Sequence, residues 1–292
     1  MKNRTDKTEY SIIIPAYREN ELPRLVRRLL SESAPGYVLG RIIIVACECD
    51  GASLRKLARN RTVKLLEEGT RRGKAWSINS ALAKADADVI VMESADTVPM
   101  KGALAALLNP FKDGSVGMVT GRPVPTNDRR TFVGFLSHTV WALHHIVSSK
   151  CPKGGELVAF RRVFDRMPRR TVADESYIEF AVRKAGYKII YAPDAVVYNR
   201  GPSGLSNFVK QRRRVFSGHV KIKDELGYEV STMGISKVMS AILEYATSGG
   251  VSNPREALWM LAAIAIECWA RLAGFADFRI SRKVPFKWEM TK

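Results

Sequence analysis

Cysteine and histidine are scarce in this chain, with four of each in 292 residues. The cysteines, Cys47, Cys49, Cys151 and Cys268, form no repeated CxxC pattern, so neither a disulfide framework nor a paired-thiol metal site organises the fold. Cys47 and Cys49 flank Glu48 at a strand end, where buried structural thiols explain them better than a soft metal site. Met1 to Glu9 is polar and charged, so no secretory leader is expected, and a reducing, cytoplasmic setting follows. No glycine-rich phosphate loop of the usual kind stands near the first apolar run, which argues against a nucleotidyltransferase. Internal repeats and low-complexity stretches are absent, and no run of ~20 uncharged apolar residues marks an unbroken membrane span.

Acidic residues are also short: 29 Asp and Glu face 47 Lys and Arg, for a net charge of +18. Such a field attracts anions, whether nucleic acid, an anionic membrane or a phosphorylated substrate. The arginine clusters are dispersed from Arg27-Arg28 to Arg212–Arg214, and no basic-aromatic module accompanies them. Nucleic acid is therefore not the expected partner.

What is present is an alternation of short apolar runs and longer amphipathic stretches. Ser11–Ile14, Arg41–Ala46, Val63–Leu66 and Val89–Met92 read as strands, with helices over Leu22–Ser31, after Ala52, and over Gly73–Ala85. Continuous β-branched runs bounded by Pro or Gly are the mark of strands buried on both faces. Four of them separated by helices predict a doubly wound, mainly parallel α/β sheet. Beyond Asp96 follow a strand at Val116–Thr120 and an aromatic-rich helix over Phe132–Val147. A strand at Leu157–Phe160 and a helix over Glu175–Ala185 come next, then strands at Lys188–Tyr191 and Ala195–Tyr198, divided at Pro193. A helical tail follows, with helices over Met233–Thr247 and from Pro254. The last helix holds ten uncharged residues, Ala257–Ile266, before Glu267 and Arg271 interrupt it. These two charges are four apart and share a helix face. A helix in the membrane interface, or packed on the protein, fits better than a full span.

Three segments carry the chemistry. Val89–Met92 runs into Glu93-Ser94-Ala95-Asp96, and a carboxylate at the carboxyl end of a parallel strand stands where ligands bind. Ala173-Asp174-Glu175 places two acids at a helix start, one suited to capping and one to proton transfer. Gln211-Arg212-Arg213-Arg214 offers guanidinium forks that match phosphate oxygens.

Their order and type resemble glycosyltransferase family 2, inverting enzymes of the GT-A fold, over roughly 10–221. The resemblance implies an inverting hexosyltransferase that moves a sugar from a UDP- or GDP-linked donor to a glycan, lipid or polyprenyl phosphate acceptor, peripherally at the cytosolic face of a membrane. It implies a nucleotide-sugar-binding half at 1–125, an acceptor-binding half at 126–222, and a helical tail at 223–292. Pro15, Tyr17 and Glu19 match the first strand and loop beside the nucleotide. Asp50 matches the acid that takes a hydrogen bond from the base, and Lys74 the segment near the phosphates. Ser94 and Asp96 match the DxD segment, with Asp96 holding Mg²⁺ or Mn²⁺ and serine replacing the usual first aspartate. Gly154 and Gly155 match the acceptor-side strand. Glu175 takes the place of the general base and Asp174 that of its neighbour, with the family's acid identities exchanged. Gln211 and Arg214 match a QxxRW-like motif in which Val215 replaces tryptophan, with Gln211 on the acceptor side and Arg214 near the diphosphate. His219 is a second candidate for the cation, or for the phosphates. A soluble transferase with a small acceptor, a basic nucleic-acid binder and an inactive scaffold remain alternatives.

Overall fold

A computed structural model describes residues 7–281. An eight-stranded sheet is ordered β3-β2-β1-β4-β7-β6-β8-β5. Its strands are β1 (Thr8–Tyr17), β2 (Tyr37–Cys47), β3 (Val63–Glu68), β4 (Val89–Glu93), β5 (Thr97–Pro99), β6 (Val116–Pro125), β7 (Leu157–Arg161) and β8 (Lys188–Asn199). The helices are α1 (Leu22–Leu30), α2 (Gly51–Leu57), α3 (Lys74–Leu82), α4 (Ala103–Leu108), α5 (Phe132–Lys150), α6 (Asp174–Lys184), α7 (Leu205–Leu226), α8 (Ile235–Tyr245) and α9 (Pro254–Arg279).

The chain divides into two compact units. Of the described residues, one takes 7–123 with Gly154–Arg170 and Ala181–Tyr198; the other takes Val124–Lys153, Thr171–Phe180 and 199–281. In the first, β1 pairs in parallel with β2 and β4, and β2 with β3. Ile12, Ile13, Ile14, Ile42, Ile43 and Ile44 are all fully buried, so the β-branched runs fill both faces of the sheet. Burying one such side chain contributes roughly 1.5–3 kcal/mol, which makes this isoleucine block the main apolar anchor of the unit.

Beyond β4 the pairing reverses: β7 runs antiparallel to β4 and to β6. The parallel character therefore belongs to β3-β2-β1-β4, and the sheet as a whole is mixed. The reversal has a positional result. Parallel strands end together at their carboxyl edge, and an antiparallel β7 begins there, so residues just before Leu157 arrive beside the end of β4.

Two sequence expectations change in detail. β8 is one strand through Pro193, where two were expected. Its neighbour β5 has only three residues, which leaves part of β8 as an open edge where proline's missing N–H is tolerated. The 22-residue α7 encloses the Gln211–Arg214 stretch, to which the sequence reading gave no element.

The second unit is mainly helical. A small apolar cluster of Phe135, Tyr245 and Met260 joins α5, α8 and α9, with Trp259 packed 5.6 Å from both Phe132 and Phe135. Gly274 of α9 sits so close to α7 that a Cβ there would lie 2.5 Å from the Arg213 carbonyl oxygen.

Candidate functional site

Within the sheet-bearing unit, Pro15, Tyr17, Glu19, Asp50, Lys74, Ser94 and Asp96 lie in or after strands that end at the carboxyl edge, and Gly154 and Gly155 precede β7, which begins there. Arg18 and Glu48, just past β1 and β2, both hold φ of 53°, an uncommon conformation for side chains of this kind. Arg18 Nε donates to Glu48 Oε2 at 2.7 Å and ties the two loops together. Asp50 accepts from the backbone of Ala52 and Ser53 as the N-cap of α2, and the hydrogen bonds from Ser53 hold its carboxyl below the usual range.

Aromatic rings on this edge are covered by cations. Arg71 lies 3.9 Å over the Tyr17 ring, and Trp76 lies between Arg72 and Arg169 at 4.7 and 4.9 Å. A flat ring beside guanidinium groups can stack a base and attract its phosphates. Asn79 exchanges two 2.9 Å hydrogen bonds with the backbone of Met167, which makes it a clamp between segments of this unit. A cavity of about 310 Å³ lies at β3, lined by Glu67, Glu68, Arg72, Trp76 and Ser80. Two carboxylates and one guanidinium thus line it.

At the end of β4, Glu93 is fully buried, bonded to the Thr97 hydroxyl through Oε1, while its Oε2 has no hydrogen-bond partner. Burial pushes the Glu93 carboxyl well above its ordinary range; the Thr97 hydroxyl opposes this, and the nearby Glu156 and Asp96 add to it. Asp96 is exposed. Ser94 Oγ donates to Glu156 Oε2 at 2.9 Å. Glu156 was not singled out in the sequence; an acid following two glycines carried no signal there, and only the antiparallel register of β7 reveals its neighbourhood.

The oxygen donors fit a hard cation. No three His, Cys, Asp or Glu side chains among the described residues form a complete metal cage. A cation that keeps water and binds substrate phosphates requires only one or two carboxylates.

The helical unit holds Asp174, Glu175, Gln211, Arg214 and His219. Asp174 and Glu175 open α6, where negative charge complements the helix dipole; Asp174 is buried and Glu175 partly exposed. A Cβ on Gly218 would lie 3.2 Å from Val172 and 3.4 Å from Ala173, so α7 passes close to the residues before α6. Arg212 makes two 2.9 Å hydrogen bonds to Glu267, and Arg213 pairs with Asp277. Two of the three consecutive arginines thus bind α9. His219 is buried, and burial pushes its pKa well below the ordinary value, helped by Lys153, Arg212 and Arg271 and opposed by Glu267.

A sequence profile described as "Glycosyltransferase like family 2" matches residues 8–218. The chain belongs to glycosyltransferase family 2. Among family relatives, the poly-beta-1,6-N-acetyl-D-glucosamine synthase of Staphylococcus aureus (strain COL) is 25% identical over 227 residues, covering 71% of this chain and 54% of that one. The synthase of strain MRSA252 gives the same values. The chain thus spans about half the length of the curated relatives it matches. Among solved structures, the mannosyltransferase PcManGT from Pyrobaculum calidifontis, in complex with GDP-Man and Mn2+, superposes with a TM-score of 0.61 at 20% identity. That match covers 95% of this chain and 88% of the other, and it shows the GT-A fold of this family 2 glycosyltransferase.

Proposed function

We propose that the protein transfers a hexose, with inversion, from a UDP- or GDP-linked sugar to a lipid-linked glycan or polyprenyl phosphate at the cytosolic face of a membrane. The observation that carries the transfer reading is the exposed Asp96 at the carboxyl end of β4, the edge where open α/β sheets bind ligands. The names of the relatives support a nucleotide-sugar donor and a glycan acceptor. Pro15, Tyr17, Glu19 and Asp50 would line the nucleotide, and Ser94 the ribose. Asp96 would hold Mg²⁺ or Mn²⁺, whose bound charge stabilises the departing diphosphate. Lys74 and Arg214 would meet the phosphates. His219 would approach the cation or the phosphates. Gly154, Gly155 and Gln211 would face the acceptor. Glu175 would take the proton from an acceptor hydroxyl, with Asp174 beside it.

Membrane contact is supported by α9. It is long and apolar enough to cross a bilayer, and only 17% of its apolar window is buried. Its charged Glu267 and Asp277 bind α7, while Leu258, Leu261, Trp269, Leu272 and Phe275 are exposed. An apolar stripe with tryptophan, on a protein of net charge +18, suits the interface of an anionic bilayer.

The test is a thermal-shift panel of UDP, GDP and their sugars with and without Mn²⁺, since a ligand that binds only the folded state raises its stability. A cation-dependent shift with one base, lost in Asp96→Ala, is expected; an unchanged shift in that variant removes Asp96 from the site. Glu175→Gln is expected to stop transfer while sparing donor binding. Full activity in Glu175→Gln points to an acceptor phosphate, which is already an oxyanion.

A further inference from the structure

The loops after β1 and β2 turn on two residues in an uncommon conformation. Tyr17 is the register partner of Cys47 at the end of the parallel pair, so Arg18 and Glu48 are the first residues beyond it on each strand. Both hold φ of 53°, and they are the only two non-glycine residues with positive φ among those described. Glycine, asparagine and aspartate enter that region readily; arginine and glutamate do so against their preference. Each holds the other there. The Arg18 backbone N–H donates to the Cys47 carbonyl oxygen at 3.1 Å, and the guanidinium meets Glu48 Oε2 at 2.7 Å through Nε and at 2.5 Å through Nη2. The backbones of Glu19 and Arg18 also hydrogen-bond the Cys49 thiol, whose Sγ donates to the Cys47 carbonyl oxygen at 3.5 Å.

Stability alone does not explain this arrangement. The Arg18 and Glu48 side chains are 59% and 45% exposed, and an ion pair so open to water contributes little to folding. Two left-handed residues that are not glycine work against folding. Such strain persists where the surrounding structure fixes it, and it clusters at ligand sites. The residues beside it here are Tyr17, Glu19 and Asp50, all proposed to line the nucleotide. The Arg18 guanidinium lies 5.1 Å from the centre of the Tyr17 ring, on which Arg71 also rests, and Asp50 is fixed as the cap of α2. The bond between Arg18 and Glu48 therefore joins the tyrosine loop to the aspartate loop.

We propose that Arg18 and Glu48 form a latch that presets the β1 and β2 loops for the nucleotide, holding both left-handed turns so that Tyr17, Glu19 and Asp50 meet the donor in one fixed arrangement. Both are positioning residues. Without the bond the turns relax, and a nucleotide binds only the fraction of molecules in which they have re-formed, which lowers its apparent affinity by that fraction. This rests on the donor-site reading given above.

The experiment is calorimetric titration of the full chain with Mn²⁺ and GDP or UDP, whichever gives the cation-dependent shift. Arg18→Met and Glu48→Met each remove the bond and keep an unbranched side chain. Each is expected to weaken nucleotide binding about tenfold, as when the competent fraction falls to about a tenth. The double variant is expected to lose no more than either single one, because all three lack the same bond. Arg18→Asn with Glu48→Asn restores the turns by local preference instead of an ion pair and is expected to regain most of the affinity. Neither a direct contact with the ligand nor a general loss of stability explains that recovery. Wild-type affinity in either methionine variant overturns the proposal, as do losses that add in the double variant or that persist in the asparagine pair. Nucleotide binding that none of these variants alters removes the latch and leaves the donor reading in place; wild-type protein that binds neither nucleotide ends the donor reading itself, and the latch with it.

Discussion

In the sheet-bearing unit the isoleucines of β1 and β2 lie inside and ion pairs such as Arg55 with Glu67 lie outside, whereas α9 in the helical unit turns ion pairs inward and leucines outward. In the first unit, isoleucines of β1 and β2 are fully buried and pairs such as Arg55 with Glu67 lie in solvent. In the second, Arg212, Glu267 and Arg271 form a partly buried network, while Leu258 and Leu272 are 66% and 72% exposed. Burial of apolar surface can account for the stability of the first arrangement in water. The second leaves apolar surface uncovered, so its stability leans on charge pairing, and its outward face is suited to something other than water.

The contrast is broken most sharply by removing the acid at the centre of the inner network. Glu267→Ala leaves the guanidinium groups of Arg212 and Arg271 without their shared carboxylate and is expected to cost about 3–5 kcal/mol, as breaking a buried pair does. Chemical denaturation measures this directly, and a variant that unfolds like wild type would show that the inward charges carry no structural weight.

Acid sharpens the same comparison without mutation. Burial alone would raise the Glu267 carboxyl, but Arg212 and Arg271 bring it down from 4.5 to about 2. A depressed carboxyl stabilises the fold above its unfolded pKa, here by about 3 kcal/mol, and the contribution is lost as pH falls from about 4.5 toward 2. His219, lowered from 6.5, acts in the same direction, because the unfolded chain takes up that proton first and stability declines from about pH 6.5 downward. Stability followed against pH should therefore fall in two stages, and His219→Gln should remove the earlier one.

Gly274→Ala tests packing in place of charge. Its new Cβ would meet the Arg213 carbonyl oxygen at 2.5 Å, so α7 and α9 must separate, at a cost of about 1–3 kcal/mol in unfolding free energy. Unchanged stability would mean that the two helices are held by the ion pairs alone.

The two units also differ in how far they can be read from sequence. The strands of the first unit announce themselves in Ser11–Ile14, Arg41–Ala46 and Val89–Met92, because double-sided burial is a local property of a run of residues. Glu156 was invisible for the opposite reason: its link to Ser94 spans 62 positions and depends on β7 entering antiparallel. The Gln211–Arg214 stretch was legible as phosphate chemistry, yet the partners of Arg212 and Arg213 lie 55 and 64 residues away on α9. Periodicity reports which face of a helix is apolar; it is silent on which face points inward, so the inversion of α9 required the fold.

The smallest effect on stability is expected on the outer face of that helix. Leu261→Gln and Leu272→Gln alter exposed side chains and should change unfolding free energy by no more than about 0.5 kcal/mol. Their effect should appear in flotation with anionic vesicles, where each removes apolar surface from the stripe and the double variant should stay with the soluble fraction. The same helix would then tolerate change at its apolar face and fail at its charged one, the opposite polarity to β1, where fully buried isoleucines carry the fold. Equal flotation of wild type and double variant would show that a surface other than α9 meets the lipid. Loss of stability in the outer variants would show that the leucines pack against protein, and the polarity of the two units would be the same after all.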